Sequence, residues 1–333
     1  MTMEQKKGAF IVWKKYQRRV EVLAPYFDLE ICYFSYPWEE KSKFYKALSY
    51  IPKAISTLKY LLKRKPPLVF IQFPPTPALY CVALYKWLTG STYVADCHIT
   101  IGNDYWHKWI YAKKLLLKGK MIVHNNDIVE PVIKSLNIKP IVVRDGIAIR
   151  PLFDRRKSIL LENLGLFPKS YVIFPCSFSA DEPLMIVIEA ARSLPETKFV
   201  ITWNYDRLLK SIRNSLPPNI ILTGYLRVDD FNYLFANAGV ALVLTTQEAI
   251  QLSGVQEAMT FTIPAVVSDL KTTRFLYKEY PVYVKNESIS IADGIRYAFQ
   301  NRLELEERMK YLRIETEKEF DNQIENLRIV LNL

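Results

Sequence analysis

Five consecutive residues, Ser253-Gly254-Val255-Gln256-Glu257, have types and spacing that could do chemistry together. They stand inside residues 241–269, ALVLTTQEAIQLSGVQEAMTFTIPAVVSD. A short apolar run at 241–244 breaks at Thr245-Thr246, crosses a polar loop, opens a helix near Ser253 and returns as an apolar run at 265–267 after Pro264. That order predicts a βαβ unit. The N-terminus of its helix presents backbone N–H groups and a partial positive charge, which together take phosphate. Ser253 and Gly254 are small enough to let a phosphate reach the backbone. The Glu257 carboxylate, one turn further on, can accept hydrogen bonds from a ribose diol. A nucleoside diphosphate fits this arrangement. A plain helix cap fits it too, with Ser253 as N-cap and Gln256 as its capping-box partner. Both uses rest on the same physics, so the pattern leaves both open.

The segment EAIQLSGVQEAMTFTIPAVVSD resembles the donor-binding segment of GT-B glycosyltransferases, in particular the retaining group with an E-x7-E signature followed by EAM-x-x-G-x-P-V-V. Glu257 matches the second Glu, which the resemblance implies binds the donor ribose. The small residues before it, with Val255 and Thr246, are implied to hold the diphosphate. The first Glu is out of register: Glu248 precedes Glu257 by nine positions, and the family spacing would fall on Ala249. Glu248 is still the implied catalytic equivalent, near the donor sugar. Thr262-Ile263 stand where the family has a Gly before the proline. An amino-terminal F-x-Q-x-P-P-T-P … A-D-C-H order resembles the first half of the same enzymes, and there His98 is implied to lie near the sugar as a second catalytic residue. Such enzymes commonly carry a basic pair after the first strand of their second domain; here that loop reads SFSADEP, which leaves Ser177 and Ser179 hydroxyls and a base from elsewhere, Arg144 or Lys271.

Three arginines are expected to meet acceptor or phosphate groups. Arg18 and Arg19 open the first helix, where cations are locally unfavourable unless an anion faces them; a salt bridge to Glu21 or to another segment is the alternative. Arg144 begins the RDGI turn that leads toward the second half. The chain carries 45 basic and 34 acidic residues, a formal net charge of +11, which suits an anionic partner. Residues 41–65 read as a basic amphipathic helix, with Phe44, Leu48, Ile51, Ile55, Leu58 and Leu62 on one stripe and Pro52 kinking it or starting a second helix. The stripe is expected either to pack on its own sheet or to lie on a membrane surface.

The elements that must position these residues alternate strand and helix twice over. Apolar runs at 9–13, 30–34, 68–73, 92–95, 121–124 and 140–143 predict one parallel sheet; the pattern restarts at 171–175, 199–202, 220–222, 240–244 and 265–267. The fold class is α/β, with two Rossmann-like domains. By resemblance these face each other across a cleft in the GT-B manner. The domains are expected at 1–150 and 151–310, with a hinge near 148–168 and a helix at 311–333 returning to the first. The four cysteines lie apart in apolar stretches, without zinc spacing, and suit a reducing compartment. Neither a secretory leader nor a membrane span is expected, which suits a cytoplasmic protein, with any membrane contact confined to its surface. The expectation is a metal-independent, retaining transferase moving a sugar from a UDP- or GDP-linked donor to a sugar or lipid-linked acceptor, with no cofactor and no nucleic acid. Two alternatives stand beside it: a non-catalytic relic or binding subunit, and a nucleotide-sugar 2-epimerase, whose SG-x-QE segment Ser253–Glu257 also resembles.

Overall fold

The structure is a computed structural model. It describes residues 8–97, 106, 108–123, 141–147, 158–202, 208, 210–248 and 250–333. The chain divides into two compact units: Met1–Gly146 with Glu319–Leu333, and Ile147–Lys318. Of the hinge expected near 148–168, residues 148–157 lie outside the described residues, while Ser158–Asn163 form a helix and Leu161 and Leu166 are buried in the core of the second unit.

The first unit holds a six-stranded parallel sheet in the order β2-β1-β3-β4-β5-β6. Its strands are β1 Gly8–Val12, β2 Leu29–Tyr33, β3 Leu68–Phe73, β4 Thr92–Cys97, β5 Lys120–Val123 and β6 Ile141–Val142. β1 and β3 are buried along their whole length, as parallel strands covered on both faces must be. The pleat sorts their side chains into two cores. Ala9, Ile11, Val69 and Ile71 face one layer, while Phe10, Val12, Leu68 and Phe70 face the other. The helices are α1 Arg18–Leu23, α2 Lys43–Leu48, α3 Tyr50–Arg64, α4 Thr76–Thr89 and α5 Ala112–Lys118.

The break expected near Pro52 falls at Ser49, between α2 and α3, and Pro52 sits in the first turn of α3, where its missing N–H costs nothing. Of the two expectations for the stripe, packing on its own sheet is overturned, because the stripe faces outward. α3 buries Lys53, Thr57 and Leu61, whereas Phe44, Ile51 and Ile55 are 68%, 64% and 62% exposed. The physical reason lies in distant partners. Lys53 pairs with Glu39 and donates to the Trp13 carbonyl, and the Trp13 indole N–H donates to Thr57 Oγ1 at 3.0 Å.

The second unit has the sheet order β12-β11-β10-β7-β8-β9. Its strands are β7 Tyr171–Pro175, β8 Lys198–Thr202, β9 Ile220–Leu222, β10 Val240–Val243, β11 Ala265–Ser268 and β12 Val282–Val284. β12 is a three-residue edge strand that the sequence reading did not include. The helices are α6 Ser158–Asn163, α7 Leu184–Arg192, α8 Lys210–Asn214, α9 Val228–Asn237, α10 Ser253–Phe261, α11 Lys271–Tyr277, α12 Ser288–Gln300 and α13 Arg302–Leu331. Here too alternate residues of β7 enter different cores, Tyr171 and Ile173 one, Val172 and Phe174 the other. β7 has β8 on one side and β10 on the other, so the direction of winding reverses between them. In open α/β sheets such a reversal leaves a crevice at the carboxyl ends of the two strands, where ligands bind.

Candidate functional site

The loops that follow β7 and β10 meet at that crevice, and α10 begins there. Its N-cap is Leu252, in extended conformation, and no side chain caps it. The capping box expected from Ser253 and Gln256 is therefore not formed: Ser253 is the first helical residue and is exposed. Gly254 explains how the helix comes so close to the sheet. A Cβ there would stand 2.8 Å from Val243 Cγ1 and 3.1 Å from Pro175 Cγ, at the ends of β10 and β7. Only a residue without a side chain lets the first turn of α10 rest on both strand ends. Val255 is buried beneath it, and Glu257 is half-buried one turn in.

Gln256 departs from its expected capping role. Its side chain is 3% exposed, and neither Oε1 nor Nε2 has a hydrogen-bond partner among the described residues. An unmet buried amide costs about 1–3 kcal/mol and calls for an explanation.

The loop after β7 is organised by an acid that the sequence pattern did not single out. Glu182 accepts from the backbone N–H of Ser177 at 3.1 Å, from the Ser177 hydroxyl at 3.0 Å and from the backbone N–H of Ser179 at 2.9 Å. Ser177, expected to hold diphosphate, thus gives both its donors to a carboxylate of its own loop. Asp181 ties this loop to the next: Thr245 Oγ1 donates to its carboxylate at 3.0 Å, and the Thr246 N–H and hydroxyl donate to its carbonyl at 2.7 and 3.1 Å.

Glu248 has a similar duty. Its two oxygens accept from the backbone N–H groups of Lys271 and Thr272 at 3.0 and 2.9 Å, so it caps α11 from 23 residues away. Partial burial pushes the Glu248 carboxyl up, but those N–H groups, the Thr272 side chain and the Lys271 charge outweigh it and hold it below its ordinary value. Lys271 is exposed at the start of α11, and it is the cation that stands beside this loop.

The expected acceptor arginines belong to the first unit, and two of them are corrected. Arg19 is 5% exposed; its guanidinium donates to Asp96 at 2.9 Å, to Asp145 at 2.9 Å, and to the carbonyls of Val143 and Arg144. It is a structural hub with its donors spent, and the other-segment salt bridge is what the fold forms. Burial alone would lower its pKa, but Asp96 and Asp145 reverse the sign and raise it. Arg144 donates to Glu319 at 2.6 Å, and its backbone N–H donates to Gln323 at 2.8 Å, so it fastens the end of α13 within the first unit. Arg18 is half-buried near Asp145; burial pulls its pKa down and Asp145 opposes that. His98 lies outside the described residues. Among the described residues no group of three or more His, Cys, Asp or Glu could hold a metal ion. All four thiols are unpaired and buried, and burial pushes the Cys32 thiol up to about 11.

Neither a family model nor a curated protein sequence matches the chain. Solved structures do match it over nearly its whole length. HepE from Anabaena, in complex with UDP-glucose, is 14% identical and superposes with a TM-score of 0.71, covering 98% of this chain and 99% of its own. Sucrose-phosphate synthase from Thermosynechococcus elongatus gives 12% and 0.72 at 98% of both chains. An E. coli trehalose-6-phosphate protein bound with UDP-2-fluoro glucose gives 9% and 0.68, at 97% and 98%. With the two parallel sheets described above, these likenesses establish the GT-B fold.

Proposed function

We propose that the chain is a glycosyltransferase that moves a sugar from a nucleoside diphosphate donor to an acceptor. The observation that carries this is the start of α10: N-terminal amides without a side-chain cap, seated by Gly254 on the ends of β7 and β10 at the winding reversal. The diphosphate is assigned to the amides of Ser253 and Gly254, and the ribose to Glu257; of the other expected donors, the Val255 N–H donates to the Leu252 carbonyl, and Thr246 gives its N–H and hydroxyl to the Asp181 carbonyl. HepE and the E. coli protein were solved with UDP or UDP-sugars, which favours a uridine over a guanosine donor here.

The reaction breaks the bond between the anomeric carbon and the diphosphate oxygen. The electron pair leaves on the diphosphate, an acceptor oxygen bonds to the carbon, and the acceptor's hydroxyl proton is released. Negative charge grows on the leaving group as the bond breaks. Preoriented amides at a helix N-terminus stabilise it there more than in the ground state. Lys271 is the cation assigned to assist, in place of the basic pair that the loop after β7 does not carry. Glu248 positions the loop through α11. Retention of anomeric configuration, metal independence and a lipid-linked acceptor belong to the same reading and rest on the resemblance and on the basic surface of the first unit.

One observation favours a second reading, binding without turnover: Glu182 already fills the amides of the loop after β7 with negative charge. Titration of the full chain with UDP, GDP and their glucose conjugates, followed by product analysis, separates the two. Transfer or slow donor hydrolysis, with UDP preferred and at least about tenfold weakened by Glu257→Ala, is the expected result. Tight binding without any product leaves the second reading. Epimerised donor as the product, or indifference to Glu257→Ala, removes the assignment.

A further inference from the structure

The outer face of α3 makes a surface that the donor site does not use. Phe44, Leu48, Ile51, Ile55 and Leu62 form an apolar stripe along the outside of α2 and α3, each at least 41% exposed. Rotation of α3 cannot hide them, because Lys53 and Thr57 on the opposite face are fixed in the core by Glu39 and Trp13. Lys41, Lys43, Lys46, Lys59 and Lys63 border the stripe and are exposed.

α4 packs beside α3, and α5 beside α4, so the three form one layer over the sheet. This layer carries a second apolar area, with Trp87 at 80% and Ile110 at 77% exposure. Between α4 and residues 108–118 lies an open cavity of 1040 Å³, lined by Leu84, Trp87, Tyr93, Ile110 and Tyr111, with Lys86, Lys108 and Lys118 around it. No Asp or Glu occurs in 41–65, in 76–89 or in 108–118, although the chain holds 34 acidic residues.

We infer that this helical layer of the first unit docks on the surface of an anionic lipid bilayer. Apolar side chains enter the boundary between headgroups and acyl chains, while the lysines beside them reach the lipid phosphates through their flexible stems. Charge complementarity selects this occupant. Two copies of three helices without carboxylates would set lysines against lysines, so self-pairing is disfavoured. Among the described residues no helix is long and apolar enough to cross a membrane, which fits a contact lying in the surface plane. The layer shares no residue with the site at α10, so this inference and the donor reading stand or fall separately.

Flotation of the full chain with vesicles of phosphatidylcholine, with and without phosphatidylglycerol, tests it. The protein should float with the anionic vesicles and be left behind by the neutral ones, with binding that weakens as salt rises. Ile51→Ser with Ile55→Ser should lower the partition coefficient by about tenfold or more. Lys59→Glu with Lys63→Glu should lower it by at least about fivefold per site. All four positions are exposed, so circular dichroism and UDP binding of these variants should match the parent. Equal flotation with both vesicles, or none with either, overturns the inference. So does an unchanged partition of the isoleucine variant, or a dimer in sedimentation equilibrium that this variant abolishes, since a second copy would then be what covers the stripe.

Discussion

Glu248 and Arg19 owe their places to partners that their own neighbourhoods do not announce. α11 begins after Leu270, a residue with no oxygen to cap it, and the missing acceptor arrives from Glu248 in the previous loop. Local patterns reveal caps made by adjacent residues, so this one was legible only as an acid near the right register of the family signature. Replacing Glu248 with Ala should cost about 1 kcal/mol at neutral pH. The folded-state pKa is depressed, so the stabilisation is present above the unfolded value and is lost as pH falls through the folded one. Thermal melts should therefore show the parent and the variant converging below about pH 4; a gap that widens in acid would refute the cap. Arg19 is 77 residues from Asp96 in sequence, and the twin arginines at a helix start read correctly as needing an anion but not as burying it. Asp96 is 2% exposed at its side chain, so Arg19→Met strands a buried carboxylate and should cost about 3–5 kcal/mol. Asp96→Asn in the same chain should return part of that loss, measured by denaturant midpoints.

At the scale of the element, α10 and α3 divide what pattern reading finds from what it cannot. The strand, loop, helix and strand of residues 241–269 were legible from composition, and so was the need for a small residue at 254. The cap was misplaced by one, since Leu252 rather than Ser253 flanks the helix. That one-residue shift matters to function, because it leaves the first-turn amides without a side-chain acceptor. Gly254→Ala tests the seating of the helix. The added methyl meets Val243 at 2.8 Å and Pro175 at 3.1 Å, so α10 must lift from the strand ends. A stability loss of about 1–3 kcal/mol is expected, with UDP affinity falling further than folding stability does. Affinity that holds while stability drops would place the nucleotide elsewhere. For α3 the periodicity gave the helix but not which of its faces the fold buries. Hydrophobicity assigns the apolar stripe to the interior unless a buried lysine has a carboxylate waiting, and Glu39 stands in a separate short turn at Pro37–Glu40.

The whole chain carries two separate sets of cores, one pair around each sheet, and the restart of the strand pattern near residue 171 made this legible. The end of α13 was less so. Its last residues belong to the first unit, where Phe320, Ile324 and Leu327 are 5%, 3% and 0% exposed among Phe10, Phe27 and Phe70. A charge-rich helix with sparse apolar residues gives little sign of which core it completes, so only the family resemblance pointed back to the first unit. Two units with separate cores need not unfold together. Calorimetry of the intact chain should show two transitions, and UDP, which binds only the native second unit in our reading, should raise one of them by mass action. Leu327→Ala opens a cavity in the first unit and should cost about 2–5 kcal/mol there. It should lower the transition that UDP leaves alone and spare the other. If UDP instead raises the transition that Leu327→Ala lowers, the nucleotide is bound by the first unit, and the assignment to α10 is wrong.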